Sequence, residues 1–240
     1  MKKVLSLNFI FLFLISITLN TAKSEDKFYF GGGVYLGYKG SVNIEGLQSG
    51  RKMGYAFNPL PEMGGSVDLL LLNNIGVIVD IGLTSSSYET KGSGIIPGET
   101  RIRSAVEKHK YITFNPKLYI FGFTLGLNIS KPVSSSYDYQ SGLISENIKN
   151  IPIPTSVLST LMEIHLGGKI NLFETGLGKL YLKLDLDYPL TGIYSDYAKD
   201  DPLKKAIPPE PGSLLIDPTK NPKPASFTIG LNYMFNILKF

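Results

Sequence analysis

Hydrophobic and polar residues alternate one by one through residues 179–188, KLYLKLDLDY. Successive side chains of a β-strand point to opposite faces of the sheet, so this segment is predicted to form a strand with two unlike faces. The apolar face comprises Leu180, Leu182, Leu184, Leu186 and Tyr188. The polar face comprises Tyr181, Lys183, Asp185 and Asp187. Soluble and membrane sheets both show such alternation, so this one strand does not distinguish them.

The same alternation predicts seven further strands. They span residues 28–38, 64–72, 75–84, 109–120, 123–130, 161–172 and 226–237, with extensions of the third to 88 and of the seventh to 194 left open. Tight turns are predicted at 73–74, near 121–122 and at 174–178, and long polar connections at about 39–62, 89–108, 131–157 and 195–225. Because long and short connections alternate strictly, antiparallel strands place every long loop at one end and every turn at the other. Pro116 lacks a backbone donor and predicts a local irregularity in the fourth strand.

Several features favour a transmembrane barrel over a soluble one. The apolar faces consist almost entirely of Leu, Ile, Val, Phe and Tyr, and aromatic residues such as Phe28, Tyr38 and Tyr188 lie near strand ends. Lipid tolerates no open sheet edge, so such strands must close. The predicted fold class is all-β, an antiparallel up-and-down transmembrane β-barrel of eight strands with short periplasmic turns and four long surface loops. Ten strands are the fallback if part of 41–62 or 131–157 pairs, and a secreted lipocalin-like soluble barrel is the alternative.

The N-terminus has the features of a secretory signal peptide. Lys2 and Lys3 precede a mostly apolar run over residues 4–19, and small residues at Ala22 and Ser24 suit cleavage after Ser24. The run is short for a membrane anchor and contains Ser and Asn. We therefore predict a signal peptide over residues 1–24 and one barrel domain over residues 25–240.

Removal of the predicted signal changes the charge of the chain. The full sequence has a net charge of +4, and residues 1–24 contain three lysines and no acidic residue. The mature chain is then close to neutral, so the basic pI of the full sequence gives no support for nucleic-acid binding. The sequence contains no Cys, which excludes disulfides and Cys-based metal or nucleophilic sites.

The strand pattern, the alternation of loop lengths and the ending FTIGLNYMFNILKF resemble the small eight-stranded outer-membrane barrels of diderm bacteria, the OmpA, OmpX and opacity-type class. The resemblance implies localisation in the outer membrane with the loops at the cell surface and the barrel in contact with outer-membrane lipid. It also implies a signal for the outer-membrane assembly machinery at Tyr233, Phe235 and Phe240. Phe235 and Phe240 are an odd number of residues apart, so a regular strand would point them to opposite faces. We therefore expect either a bulge near Ile237-Leu238 or an end of the strand there.

If the apolar face meets lipid, the charged side chains of the other face fill the interior. The predicted lumenal polar network consists of Asp68, Asp80, Lys117, Glu163, His165, Lys169, Lys183, Asp185 and Asp187. Eight strands enclose an interior that side chains alone can fill, and charges buried there must pair. We expect a structural plug without a large open channel, and a narrow ion or proton path is the alternative.

The spacing of residues predicts no catalytic, cofactor or metal site. His109 near Glu107 or Ser85–Ser87 could imitate the sites of lipid-modifying outer-membrane enzymes, but the spacing defines no triad. The glycine-rich start, FGGGVYLGYKG, lacks the following helix and the ending of a phosphate loop. Its glycines suit a narrow, curved barrel wall. The protein is therefore predicted not to be an enzyme.

The predicted long loops are the remaining candidates for function, since loops on a rigid scaffold often carry binding residues. They are polar, and they contain Tyr55, Tyr137, Tyr139 and Tyr197. We expect a structural or surface-interaction role, adhesin-like, with an extracellular ligand at the loops as the candidate partner. The alternatives are a passive envelope protein, a narrow-pore porin-like channel and a lipid-modifying enzyme.

Overall fold

A computed structural model describes residues 28–44, 53–57, 61–72, 74–93, 102–140, 148–195 and 221–239. The predicted signal peptide and Phe240 lie outside these residues. The strands are β1 Phe28–Asn43, β2 Met53–Phe57, β3 Glu62–Leu71, β4 Ile75–Ser93, β5 Ile102–Ile120, β6 Phe123–Gln140, β7 Ile148–Ile153, β8 Leu161–Glu174, β9 Gly178–Pro189 and β10 Pro224–Lys239. A 3₁₀ turn, Thr155–Val157, precedes β8. Within the described ranges, no helix has the length and apolar character needed to cross a bilayer.

Eight of these strands close into an antiparallel barrel. The order around the barrel is β1, β3, β4, β5, β6, β8, β9 and β10, and β10 pairs with β1 to close it. β2 continues the position of β3 between β1 and β4 towards the long-loop end, and β7 continues the position of β8 beside β6. The predicted eight-stranded barrel is confirmed. Parts of 41–62 and 131–157 do pair, but they lengthen two existing positions and add no new ones.

Several strands extend beyond their predicted ends at the long-loop side, and β4, β5 and β6 do so furthest. β4 and β5 stay paired as far as Ser93 and Ile102, and β6 continues to Gln140. Much of the connections predicted at 89–108 and 131–157 is therefore strand, and the prediction was wrong there. Alternation marks a sheet with one apolar face, and it disappears where both faces are polar.

The outward faces of the barrel form an apolar belt. Val34 and Leu231 on this belt are 58% and 48% exposed, whereas the inward Asp80 and Lys183 are each 3% exposed. Further members of the belt are Leu36, Val67, Leu69, Val77, Ile81, Ile112, Leu118, Leu125, Leu166 and Ile229. A soluble barrel has the opposite arrangement, because water favours charges outside and apolar side chains inside. The surface is that of a membrane barrel.

One predicted turn and two predicted irregularities are present in the structure. Phe121 and Gly122 have φ values of 48° and 90°, which suits a two-residue hairpin turn between β5 and β6. The ladder between these two strands skips Asn115 and Pro116 without a change of register. The ladder between β1 and β10 skips Ile237, so the bulge expected near Ile237-Leu238 is confirmed.

Substitution of a belt residue tests which face meets lipid. Leu231→Arg places a charge on the outward face near the middle of β10, and we expect it to lower the free energy of unfolding by about 2–4 kcal/mol. Chemical denaturation of the protein refolded in lipid vesicles measures this loss. Tyr188→Arg, at the long-loop edge of the belt, is the matched control and should cost about 1 kcal/mol or less. Equal costs at the two positions would contradict a lipid-facing belt.

Candidate functional site

The nine residues of the predicted lumenal network all lie inside the barrel, where they are almost completely buried. They are Asp68 on β3, Asp80 on β4, Lys117 on β5, Glu163, His165 and Lys169 on β8, and Lys183, Asp185 and Asp187 on β9. The two-residue period of each strand places them on its inward face. The structure brings them together with polar side chains from the neighbouring strands.

Asp80 is the centre of this network. One carboxylate oxygen accepts a hydrogen bond from Ser66 Oγ at 2.6 Å. The other accepts hydrogen bonds from Lys117 Nζ at 2.5 Å and Lys183 Nζ at 3.2 Å. Lys183 Nζ also lies 3.0 Å from Asp185. This mutual pairing offsets the cost of removing the charges from water.

A second part of the network surrounds His165. His165 Nδ1 lies 2.8 Å from Asp187 Oδ1, and Nε2 lies 3.2 Å from Thr124 Oγ1. Lys39 Nζ lies 3.5 Å from Asp187 and 3.9 Å from Glu163. Both ring nitrogens of His165 therefore have partners within the barrel, which is what a structural network requires.

The predicted network omits three further charged residues of the interior, namely Lys179, Lys39 and Glu62, of which Lys179 is 6% exposed and lies over the Tyr29 ring. Lys39 and Glu62 are 2% and 9% exposed, and each lies just outside the predicted limits of its strand. Glu62 accepts a hydrogen bond from Thr84 Oγ1 at 3.1 Å and lies 3.3 Å from Lys183 Nζ. Continuing the inward parity by one more step at each strand end identifies both residues.

Apolar and aromatic side chains close the interior towards the short-turn end. Tyr29, Leu70, Ile78 and Tyr119 form a buried cluster there. Leu70 lies on the inward face of β3, beside the polar Ser66 and Asp68, because it belongs to this buried cluster and not to the belt. The charged network around Asp80 therefore lies above a mostly apolar floor, where the charged Lys179 lies over the Tyr29 ring.

A separate polar cluster, the mouth cluster of Glu107, His109 and Ser135, lies towards the long-loop end. His109 Nδ1 lies 2.7 Å from Ser135 Oγ, and His109 Nε2 lies 3.1 Å from Glu107 Oε2. The Tyr194 hydroxyl donates a hydrogen bond to the same Glu107 oxygen at 2.7 Å. Burial and the Glu107 carboxylate raise the pKa of Tyr194 well above its ordinary value, so this hydroxyl remains a donor at neutral pH. The sequence suggested Glu107 or Ser85–Ser87 beside His109, and the serine that it contacts is Ser135.

A β-bulge in β6 explains why Ser135 was missed. Below the bulge the inward residues are even-numbered, as at Asn128 and Ser130. Val133 is then left out of the pairing with β5, and above it Ser135 faces inward, directly opposite His109. Bulges re-aim side chains in this way. Alternation carried on past Ser130 points Ser135 outward, so pattern analysis could not have found it.

A cap covers the mouth cluster. It consists of residues 155–159, 190–195 and 221–223, which are joined by backbone hydrogen bonds. Its buried side chains pack against tyrosines of the barrel wall in one cluster of Tyr88, Tyr137, Ile153, Val157, Leu158 and Ile193. Tyr137 was assigned to a loop by the sequence analysis, which was wrong, because it lies in β6 and faces inward. The interior is thus closed by apolar contacts at both ends.

Comparison with known proteins gives a likeness of fold alone. No known protein family matches the chain, and no curated protein matches its sequence. A solved structure of Ail, the attachment invasion locus protein of Yersinia pestis, in complex with the heparin analogue sucrose octasulfate, is similar at 10% identity and a TM-score of 0.35, covering 86% of this chain and 99% of that chain. Neisserial surface protein A is similar at 10% identity and a TM-score of 0.34, covering 85% and 95%. The outer membrane protease OmpT of Escherichia coli is similar at 10% identity and a TM-score of 0.29, covering 89% and 96%.

The geometry of the barrel defines the class of the protein. Closure pairs the strand edges, the apolar belt matches lipid hydrocarbon, and the charges are confined to the interior. The protein is a small eight-stranded transmembrane β-barrel with its long connections gathered at one end. Fold class alone assigns no molecular activity to such a barrel.

The central carboxylate provides a test of the interior. Asp80→Asn leaves Lys117 and Lys183 without their shared anion, so we expect the free energy of unfolding to fall by about 3–5 kcal/mol. Denaturant titration of the vesicle-folded protein measures it. The control is Asp138→Asn, which breaks a partly exposed pair with Lys108 at 2.5 Å and should cost less than about 1 kcal/mol. A cost at Asp80 no larger than at Asp138 would argue against a tightly paired interior.

Proposed function

We propose that this barrel acts at the cell surface as a binding protein, adhesin-like, and not as a diffusion pore. The main support for this role is the wall of paired strands beyond the apolar belt. On β5, Ile112 is the last strongly exposed apolar residue within the described side chains at 106–120, and the strand continues to Ile102. At about 3.3 Å per residue, this amounts to roughly 30 Å of strand beyond the lipid.

Side-chain contacts tie this wall together across three strands. Lys108 on β5 pairs with Asp138 on β6 at 2.5 Å, and Asp138 accepts a hydrogen bond from the backbone of Asn150 on β7 at 2.8 Å. Anchorage in the membrane does not require strands of this length. A stiff wall instead fixes the strand ends from which the connecting segments start, which is the usual arrangement for recognition on a β scaffold.

Transport is the second candidate function, and the filled interior argues against it. The charged pairs around Asp80 occupy the middle of the barrel, with the Tyr29 cluster below and the cap around Ile193 above. Eight strands with their interior filled by described side chains leave little room for water and ions to pass.

Recordings in planar lipid bilayers test the closed interior. The purified protein should produce no porin-like conductance steps, because side chains fill the cross-section between the two apolar ends. A porin reconstituted by the same procedure is the positive control. Reproducible large steps from the wild-type protein would show that the barrel is a pore.

The binding role is tested best by replacing residues 196–220. Tyr194 N donates a hydrogen bond to Asn221 Oδ1 at 2.8 Å, so the two flanks of this segment lie side by side. A short Gly-Ser linker can therefore join Ser195 to Asn221 without disturbing the cap or β10. The full connection predicted at 195–225 is less suitable, because residues 221–225 belong to the cap and to β10.

We expect a non-adhesive bacterium that displays the protein to bind epithelial cells and immobilised matrix glycoproteins, and the 196–220 replacement to lose most of this binding. Bound bacteria are counted after washing. Replacement of residues 94–101 between β4 and β5 is the control for loop removal in general, and heat-modifiable migration verifies that both variants are folded. Full binding by both folded variants would contradict recognition through these loops.

A further inference from the structure

Ser135, His109 and Glu107 form the kind of hydrogen-bonded chain that activates a serine hydroxyl. The two contacts of the imidazole measure 2.7 Å to Ser135 Oγ and 3.1 Å to Glu107 Oε2. A neutral imidazole can accept the serine proton at Nδ1 while it donates Nε2–H to the carboxylate. Nucleophile, base and orienting carboxylate are therefore within the distances that acyl transfer needs.

A second chain in the same barrel, Thr124–His165–Asp187, shows that such contacts alone do not indicate catalysis. His165 lies among the paired charges in the middle of the interior, and its Nε2 also lies 3.5 Å from Asp185. Thr124 is 3% exposed, compared with 8% for Ser135. Polar residues that fill a barrel commonly bond to a histidine, so further observations must distinguish the mouth cluster.

Buried hydroxyl groups without a hydrogen-bond partner occur at Ser41 and Thr228, but among the described residues they are most numerous around the mouth cluster. Ser86 lies opposite His109 on β4, and Tyr111 and Tyr137 lie two residues from His109 and Ser135 on the same inward faces. Their exposed fractions are 3%, 1% and 1%, and their hydroxyls have no hydrogen-bond partner among the described residues. A buried polar group without a partner costs about 1–3 kcal/mol. Several such donors around one nucleophile are typical of a site that a polar ligand completes.

We propose that the mouth cluster is a nucleophilic site that hydrolyses carboxylic esters, with Ser135 as the nucleophile, His109 as the general base and Glu107 as a positioning residue. The surroundings favour a neutral substrate with a small apolar acyl group. His109 stacks on Tyr88 with ring centroids 5.9 Å apart, and the cap contributes Val157 and other apolar side chains. This inference goes beyond the surface-binding role, which requires no covalent chemistry.

The reaction follows from the contacts of the imidazole. Ser135 Oγ bonds to the ester carbonyl carbon while its proton passes to His109 Nδ1, and the carbonyl oxygen gains the electron pair. The ester C–O bond then breaks, and the leaving alkoxide takes the proton from Nδ1 and departs as an alcohol. Water adds to the acyl-serine with His109 again taking the proton, and collapse releases the carboxylic acid and returns the proton to Ser135. Unpaired hydroxyls of Ser86, Tyr111 and Tyr137 are the candidate donors to the carbonyl oxygen.

The cap controls access to this site. Tyr194 ties the cap to Glu107, and Ile193 is fully buried in its apolar cluster. Ile193→Ala removes part of this packing and leaves the hydrogen bonds among Ser135, His109 and Glu107 in place. We expect the variant to admit substrates and probes faster than the wild-type chain.

A fluorophosphonate probe tests the nucleophile directly in the full mature chain, refolded in detergent micelles. We expect one adduct, mapped to Ser135 by peptide mass spectrometry, and faster labelling in Ile193→Ala. His109→Ala should slow the labelling by about 100-fold or more, the range of a general-base contribution. Ser134→Ala, at an exposed neighbouring serine, is the matched control and should label at the wild-type rate. Heat-modifiable migration establishes that each variant is folded.

Hydrolysis of p-nitrophenyl acetate and butyrate supplies the second readout. Turnover should disappear in Ser135→Ala and fall in Glu107→Gln, with Glu107→Asp restoring part of the lost rate because it returns the carboxylate. Absence of an adduct at Ser135 in both the folded wild type and folded Ile193→Ala would overturn the proposal. Labelling or hydrolysis that persists in folded His109→Ala would overturn it equally.

Discussion

Lipid offers no hydrogen bonds to the peptide backbone, so every strand edge within the membrane must find a partner. In this chain the first and last strands satisfy each other, because β1 and β10 pair along nearly their whole length. The pairing requires a close approach of the two backbones. A Cβ atom at Gly33 would collide with the carbonyl oxygen of Tyr233. The glycine-rich start of β1 therefore serves closure, and closure creates the interior that the remaining strands must fill.

A closed interior of eight strands has room for side chains and little else. A charge buried there alone would be very costly, so the sequence supplies opposite charges at matching depths. Lys117 and Lys183 share Asp80, and Lys169 lies 2.8 Å from Asp68. Because apolar clusters close both ends, the charges occupy a middle layer where the low dielectric strengthens their attraction. The pairing that stabilises the interior also fills the route that solutes would need, and this moves the search for function to the mouth and the surface.

The sequence could predict the barrel wherever one side of a strand meets lipid. Period-two alternation is there a direct result of the difference in environment across the wall, and the parity of nine charged residues followed from it. Lys39 and Glu62 were lost only because the end of β1 was placed too early and the start of β3 too late. Beyond the lipid both faces are polar, so the extensions of β4, β5 and β6 depend on pairing between segments and not on any local pattern. The inward direction of Ser135 depends on a bulge, which alternation cannot reveal.

Closure of the barrel does not require the bulge in β6. It leaves Val133 unpaired, and it turns Ser135 inward against His109. At the short-turn end the same sheet closes its interior mainly with tyrosine and aliphatic side chains, with Lys179 over the ring of Tyr29. At the mouth it instead places a serine, a histidine and a glutamate beside hydroxyls without partners, beneath a cap. Natural sequences retain such locally unfavourable arrangements mainly where a function uses them. The contrast between the two ends of one barrel is therefore the strongest structural argument that the mouth has a role beyond closure.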